Sequence, residues 1–189
     1  MIITKTQSTK ALIYDLEVFP NLTMFVGKVK ATGEQLTYIS HDNKVIQGDL
    51  ESIRAAVNES VVVGYNNHGY DDRLLSGILK GASNDAVYRA STHAISQRSR
   101  PVPLNSGQCQ GSVDLAHLLK TGKRYPSLKA VASVKHYPVV GDLPLDPKAK
   151  VDLKDVQTLL GYCQHDVEIT DQILDELRPQ HTLRRVLEC

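Results

Sequence analysis

The stretch ALIYDLE at residues 11–17 joins a short apolar run to two carboxylates, Asp15 and Glu17. An apolar run that ends in charged residues predicts a buried β-strand whose end reaches the edge of the core. Side chains two residues apart on a strand point to the same face, so both carboxylates are directed at one place. Two negative charges held together repel each other, and a bound cation relieves that repulsion. A solvated strand end is the alternative interpretation of this pair taken alone.

The residues around this strand predict a mixed α/β fold. Two further strands with a hairpin loop between them are predicted over 22–30 and 35–40. A second buried strand is predicted over 61–63, and 112–119 has the pattern of a strand that runs into a helix. Three strands in hairpin order, followed by strands that alternate with helices, predict a mixed sheet with antiparallel strands first and parallel strands after them, flanked by helices.

Helices are indicated by capping residues and by apolar residues at helical spacing. Asp49 is predicted to cap a helix that ends near Asn58, and Ser127 to cap one through His136. The C-terminal third is predicted to hold two helices, divided near Gly161. In chain order the predicted helices are 50–58, 71–80, 84–97, 128–136, 153–160 and 163–177.

Length and composition fit one domain over residues 1–189, with 1–9 and 179–189 as peripheral or linking segments. No apolar run approaches the roughly 18 residues that a membrane helix needs. The first residues lack the pattern of a signal peptide. Three cysteines, Cys109, Cys163 and Cys189, cannot all pair within one chain. We therefore expect a cytoplasmic protein with reduced thiols and no membrane partner.

Positive charge is concentrated between residues 86 and 141. This segment holds eight Lys or Arg residues and one Asp, a net charge of +7, and because the whole chain carries +1, the remainder carries −6. Such an asymmetry fits a protein that binds phosphate groups with one region and cations with another. A solvated basic face is the alternative interpretation.

Two more motifs carry candidate functional residues. The stretch GYNNHGYDD at 64–72 follows a buried strand and opens a helix, so it lies at the carboxyl end of that strand, where binding sites are common. Capping of this helix is the alternative role for Asp71 or Asp72. The stretch YCQHD at 162–166 places Tyr162 and Asp166 four residues apart on one helix face, and an ordinary surface pair is the alternative there.

Taken together and in this order, the three motifs resemble those of the DEDD superfamily of 3′–5′ exonucleases, which has a ribonuclease H-like fold. They read Asp-x-Glu on the first strand, Asn-x-x-x-Tyr-Asp opening a middle helix, and Tyr-x-x-x-Asp on a late helix. The tyrosine is similar to that of the tyrosine subgroup, because the histidine subgroup would place its histidine at position 161, where this chain has Gly161. The segments 14–21, 64–75, 125–129 and 162–171 are similar to the N-terminal proofreading region of bacteriophage DNA polymerases.

The resemblance implies a site for two Mg²⁺ or Mn²⁺ ions. Asp15 would bridge both ions, and Glu17 and Asp166 would complete the site of the water-activating ion. Asp71 would hold the second ion, largely through water. Tyr162 would orient the attacking water.

The family places its second-motif aspartate directly after an aromatic residue, here Tyr70, and this makes Asp71 the expected ligand. Asp72 is then expected to point elsewhere and to contribute only a helix-terminus interaction of about 0.3–1 kcal/mol.

The implied substrate is the 3′ end of single-stranded DNA, hydrolysed to nucleoside 5′-monophosphates. Leu16 and Phe19 are candidates to pack against the terminal nucleotide, with a core role as the alternative for Leu16. Asn66 would contact the strand near the scissile phosphate. Candidates for contacts with the DNA backbone are basic residues of the +7 segment: Lys120, Lys123, Arg124 and Lys129.

The expected function is therefore DNA proofreading, with a polymerase region in cis or in trans; the chain itself is not expected to synthesise DNA. One alternative is an exoribonuclease that trims RNA ends, which differs in accepting a 2′-hydroxyl at the terminal sugar. Another is a non-catalytic nucleic-acid-binding module on the same fold. Such a module would be expected to have lost carboxylates, and all four are present.

Overall fold

The computed structural model describes residues 10–96, 103–104, 108–120, 125–137 and 141–177. Within these ranges the chain forms six strands and six α-helices. The strands are β1 (Lys10–Phe19), β2 (Leu22–Val29), β3 (Gln35–His41), β4 (Lys44–Gln47), β5 (Ser60–Gly64) and β6 (Gly111–Asp114). The helices are α1 (Leu50–Asn58), α2 (Asp71–Ile78), α3 (Asn84–Ser96), α4 (Leu115–Leu118), α5 (Leu128–Val134) and α6 (Val156–Leu177).

All six strands belong to one mixed sheet in the order β4-β3-β2-β1-β5-β6. The first four strands pair antiparallel in sequence order, whereas β1, β5 and β6 pair parallel. The predicted α/β class and the order of antiparallel before parallel strands are confirmed. Strand β4 was not predicted, because its four residues KVIQ are all exposed and show no alternation of buried and exposed positions. The strand also depends on a turn in which Asp42 and Asn43 have positive φ angles.

Strand β1 lies inside the sheet, and its alternating side chains contribute to two separate cores. Ile13 and Phe19 pack in the core beneath α5 and α6, whereas Leu12, Tyr14 and Leu16 pack in the core beneath α1, α2 and α3. Strand periodicity therefore places the two carboxylates of β1 on the face that α6 covers.

Most of the predicted helices are present with their caps. Asp49 accepts a hydrogen bond from Ser52 N at 2.9 Å, and Ser127 accepts one from Ala130 N at 3.2 Å. The predicted division of the C-terminal helix near Gly161 is wrong, because α6 runs through this position without interruption. A glycine in a helix interior costs about 1 kcal/mol, and the buried face of α6 supplies packing that offsets this cost.

Ion pairs hold α6 against strand β2. Lys28 Nζ lies 2.7 Å from Glu168 Oε2 and 2.9 Å from Asp171 Oδ2. Lys30 Nζ lies 2.5 Å from both Asp171 Oδ1 and Asp175 Oδ2. Because Asp171 is buried and shared by both lysines, these pairs set the rotation of α6 over the sheet.

The predicted peripheral segments 1–9 and 179–189, together with Cys189, lie outside the described residues, and Gln97 does as well. Cys109 and Cys163 are both buried. In the described part of the chain, no helix combines the length and the hydropathy that a membrane span requires.

Candidate active site

Four carboxylates and a tyrosine lie together where β1, α2 and α6 meet. Strand β1 supplies Asp15 and Glu17, the first residue of α2 supplies Asp71, and one face of α6 supplies Tyr162 and Asp166. The charges of these side chains change one another's pKa values, which places them within short electrostatic range. The structure thus brings together all five side chains that the motifs select as catalytic.

Burial and mutual repulsion raise the pKa values of these carboxyls. Burial raises the pKa of Asp15 to about 7, with a further contribution from the charge of Asp166. Burial raises the pKa of Glu17 to about 9, with contributions from Asp15 and Asp166. The pKa of Asp71 also lies well above its ordinary range, through burial first and then through Asp15. Without a cation, the site therefore retains protons, because its surroundings do not compensate the negative charge that full ionisation would produce.

The donor set fits hard divalent cations. Among the described residues, Asp166 Oδ1 is buried and has no hydrogen-bond partner. A buried oxygen without a partner is costly, and coordination to a cation would satisfy it. Mg²⁺ and Mn²⁺ prefer oxygen ligands. Asp15, Glu17, Asp71 and Asp166 are the residues that could hold such ions.

Tyr162 is positioned as a hydrogen-bond donor at this site. Its hydroxyl lies close to the carboxylate of Asp166, one helical turn further along α6, because the two groups affect each other's pKa values. Burial, followed by the charges of Asp166, Glu17 and Asp15, raises the pKa of Tyr162 well above its usual value. The phenol therefore stays protonated at neutral pH and cannot serve as a base.

Cys163 is a site neighbour that the sequence analysis did not select. Its Sγ lies 3.4 Å from Asp15 Oδ2 and donates a weak hydrogen bond to it. Burial raises the pKa of this thiol well above its ordinary value, so the sulfur remains a neutral donor. The sequence did not indicate that Cys163 contacts Asp15. Only the rotation of α6 over the sheet shows that Cys163 faces β1.

Asp72 points away from the carboxylate cluster and makes buried hydrogen bonds. Each of its oxygens accepts two: Oδ1 from Tyr14 Oη and from Asn67 Nδ2 (3.0 Å), and Oδ2 from Leu104 N (3.0 Å) and Ser112 Oγ (2.6 Å). The expectation that the Asp72 side chain points away from the metal ligands agrees with this placement. The expectation of a minor helix-terminus role is wrong, because the side chain is buried and connects four segments of the fold.

The two apolar candidates for nucleotide contacts are core residues. Phe19 is 0% exposed, so the prediction that it packs against a nucleotide is wrong. Leu16 is 5% exposed and lies in the core beneath α1, α2 and α3, which is the alternative considered for it. Phe19 packs in the core beneath α5 and α6, so both side chains are used in packing within the protein.

Asn66 and two of the basic candidates remain accessible. Asn66 is exposed, has a φ of 59°, and its backbone N–H donates to Asp114 Oδ1 at 2.8 Å. Lys120 Nζ lies 4.9 Å from the centroid of the Tyr125 ring. Lys129 pairs with Asp142 at 2.6 Å, and its charge also lowers the pKa of Asp166, which places it near the cluster. The other two candidates, Lys123 and Arg124, lie outside the described residues.

A second group of possible metal ligands was not predicted. His68, Asp114 and His117 each offer one ligand atom, and these atoms lie within 4.8 Å of one another. The available signal was the Asp-x-x-His spacing at the start of α4, which puts both side chains on one side of a helical turn.

Comparisons of this chain with protein-family models, with curated proteins and with solved structures find no match. Its function is therefore inferred from the residues and geometry described above.

We expect Asp72→Asn to lower the free energy of unfolding by about 3 kcal/mol, because an amide N–H₂ group would face donors that now meet a carboxylate oxygen. Urea unfolding followed by circular dichroism measures this change. Asp85→Asn, at an exposed aspartate on α3 paired with Arg89, is the matched control and should change stability little. A loss for Asp72→Asn no larger than the control's would show that these buried hydrogen bonds do not stabilise the fold.

The raised pKa values predict that the metal-free chain loses stability as the pH rises from about 4 to about 9. In this range the folded chain binds more protons at Asp15 and Glu17 than the unfolded chain, whose carboxyls titrate near pH 4. The free energy of unfolding therefore falls with increasing pH. Urea unfolding in EDTA across this range measures the slope, and Glu17→Gln should flatten it. A stability that rises across the range in EDTA would contradict the prediction.

Proposed function

We propose that this chain is a metal-dependent 3′–5′ exonuclease of the DEDD type and tyrosine subgroup, with a ribonuclease H-like fold. Its substrate is the 3′ end of single-stranded DNA, and its products are nucleoside 5′-monophosphates. The observation that carries the proposal is the convergence of four carboxylates and a tyrosine from three separate segments of the chain. The order of antiparallel strands before parallel strands supports the proposed fold.

The unfavourable electrostatics of the cluster favour a catalytic role over a structural one. Partly buried like charges destabilise a fold, and folds retain such clusters where they bind cations or carry out chemistry. Asp71 is buried, and Asp15 and Glu17 are half-buried on β1. Helix capping explains none of the raised pKa values at β1, because those two acids lie on a strand.

Two Mg²⁺ or Mn²⁺ ions, held by the four carboxylates, would supply Lewis acidity to the attacking water and to the leaving 3′-oxygen. The protein side chains position the reactants. The protonated Tyr162 hydroxyl donates or accepts a hydrogen bond with the attacking water and holds it in place. The carboxylates repel phosphates unless cations neutralise them, so DNA binding and metal binding are coupled at this site.

Accessible basic, aromatic and amide side chains in the described chain suit contacts with a single DNA strand. Lys129 lies within electrostatic range of Asp166 and can pair with a backbone phosphate. Tyr125 is 44% exposed and has Lys120 over its ring, a combination that stacks bases and attracts phosphates. Asn66 is exposed at the carboxyl end of β5. We propose that this strand belongs to a primer under proofreading by a polymerase region in cis or in trans.

A nuclease assay with 5′-labelled DNA and RNA strands of the same sequence tests the proposal. We expect the DNA to shorten from its 3′ end in Mg²⁺ and to remain intact in EDTA. Asp15→Asn should slow shortening by about a thousandfold or more, and Asp85→Asn is the matched control. Shortening of RNA alone would identify an exoribonuclease instead. Binding of DNA without cleavage in Mg²⁺ or Mn²⁺ would identify a binding module.

Tyr162→Phe tests the role of the phenol. The substitution keeps the ring and removes the hydroxyl, so stability should change little, whereas single-turnover cleavage should slow by roughly ten- to a thousandfold. The affinity for single-stranded DNA, measured in Ca²⁺, should not change. Tyr38→Phe, at a buried tyrosine on β3, is a control for loss of a hydroxyl elsewhere. Cleavage by Tyr162→Phe at the unmodified rate would show that Tyr162 is only a packing residue.

A further inference from the structure

Two histidines and an aspartate meet at the carboxyl ends of β5 and β6. His68 lies in the 3₁₀ turn Asn67–Gly69 that follows β5, and Asp114 is the last residue of β6. His117 lies one turn further along, on α4. Because β5 and β6 pair parallel with Gly64 opposite Asp114, the segments that follow the two strands run side by side.

The three side chains have a geometry that can close around one ion. His117 Nε2 lies 3.9 Å from Asp114 Oδ2, and all three ligand atoms lie within 4.8 Å of one another. The two imidazole rings pack edge to face with centroids 5.4 Å apart. A tetrahedral ion with ligands about 2.1 Å away needs ligand atoms roughly 3.4 Å apart. The ligand atoms are thus at most roughly 1.4 Å further apart than such an ion requires, and the His117 side chain, which is 34% exposed, has room to move toward the other two.

The buried carboxylate of Asp114 has unused acceptor capacity on the side that faces the histidines. Its Oδ1 accepts from Asn66 N at 2.8 Å and from Ala116 N at 3.0 Å. Its Oδ2 accepts one long bond, from His68 N at 3.3 Å. A carboxylate has about four lone-pair positions, so Oδ2 retains a position for a cation. The backbone hydrogen bonds hold this oxygen in a fixed orientation.

We propose that His68, Asp114 and His117 bind a transition-metal ion, best matched by Zn²⁺, at a site distinct from the carboxylate cluster. Two imidazoles and one carboxylate are typical ligands for zinc and cobalt, whereas an all-oxygen cluster selects Mg²⁺ or Mn²⁺. Three protein ligands leave one coordination position open to water or to another ligand. In the part of the chain that the structure describes, Asp114 is not among the charges that raise the pKa values of Asp15, Glu17 or Asp71. The inference does not depend on nuclease activity.

Such an ion would join the turn after β5 to the start of α4. The turn leads directly to Asp71, so the ion would stabilise the segment from which one carboxylate of the cluster extends. Binding to the folded chain alone raises the thermal midpoint, because a ligand that binds only the folded state stabilises it by mass action.

Titration of the full chain with ZnCl₂ in excess Mg²⁺ tests the site, since Mg²⁺ binds the all-oxygen cluster and competes weakly for a site with two imidazoles. We expect one bound Zn²⁺ per chain by calorimetry and a higher thermal midpoint. Co²⁺ in place of Zn²⁺ should give the visible absorption of a low-coordinate cobalt site. Because His117 lies on a short, partly exposed helix, His117→Ala should fold, lose the cobalt absorption and weaken Zn²⁺ binding by more than about 100-fold.

His93→Ala, at an exposed histidine on α3, is the matched control and should leave binding unchanged. His68→Ala is a second ligand variant that should also lose the absorption, and Asp15→Asn should retain it. Absence of Zn²⁺ binding in Mg²⁺ would overturn the proposal. Binding that survives both His68→Ala and His117→Ala, or that Asp15→Asn abolishes, would overturn it as well.

Discussion

Hydrogen bonds into the buried carboxylate of Asp72 connect α2 to β1, to β6 and to the segment at Leu104. Consecutive residues of an α-helix point about 100° apart around its axis. A helix whose second residue is held in the core therefore directs its first residue, Asp71, to a different side. On that side lie Asp15 and Glu17, whose charges contribute to the raised pKa of Asp71. The placement of one candidate metal ligand thus depends on its structural neighbour.

Helix α6 shows how unevenly the fold compensates its negative charges. Toward its C-terminal end, Lys28 and Lys30 pair with Asp171 and with acids on either side of it. One turn earlier, Asp166 has an unpartnered buried oxygen among the described residues and faces the acids of β1. Lysine side chains therefore attach the helix to the sheet, whereas the acids of the candidate active site raise one another's pKa values. This division is typical of sites that bind metal ions.

Sequence patterns failed where a long-range contact outweighed a local preference. Gly161 suggested a helix end, but the packing of the flanking turns of α6 on β1 and β2 keeps the helix continuous. Phe19 is a candidate for nucleotide contact by sequence, but it belongs to the strand face that fills the core. Asp72 was assigned a minor capping role, and its four buried hydrogen bonds come from residues up to 58 positions away in the chain. Apart from Asn67, which lies 5 positions before Asp72, these partners lie outside a local window of sequence.

The sequence by itself determined the periodic features of the site. Alternation along β1 places Asp15 and Glu17 on one face, and helical spacing places Tyr162 and Asp166 one turn apart. The tertiary structure alone decided how deeply these acids are buried, and therefore how far their pKa values rise. It also decided that the backbone N–H of His68 hydrogen-bonds to Asp114, 46 residues later in the chain. Periodicity follows from backbone geometry within one element. Burial and contacts between residues distant in sequence follow from how separate elements pack against each other.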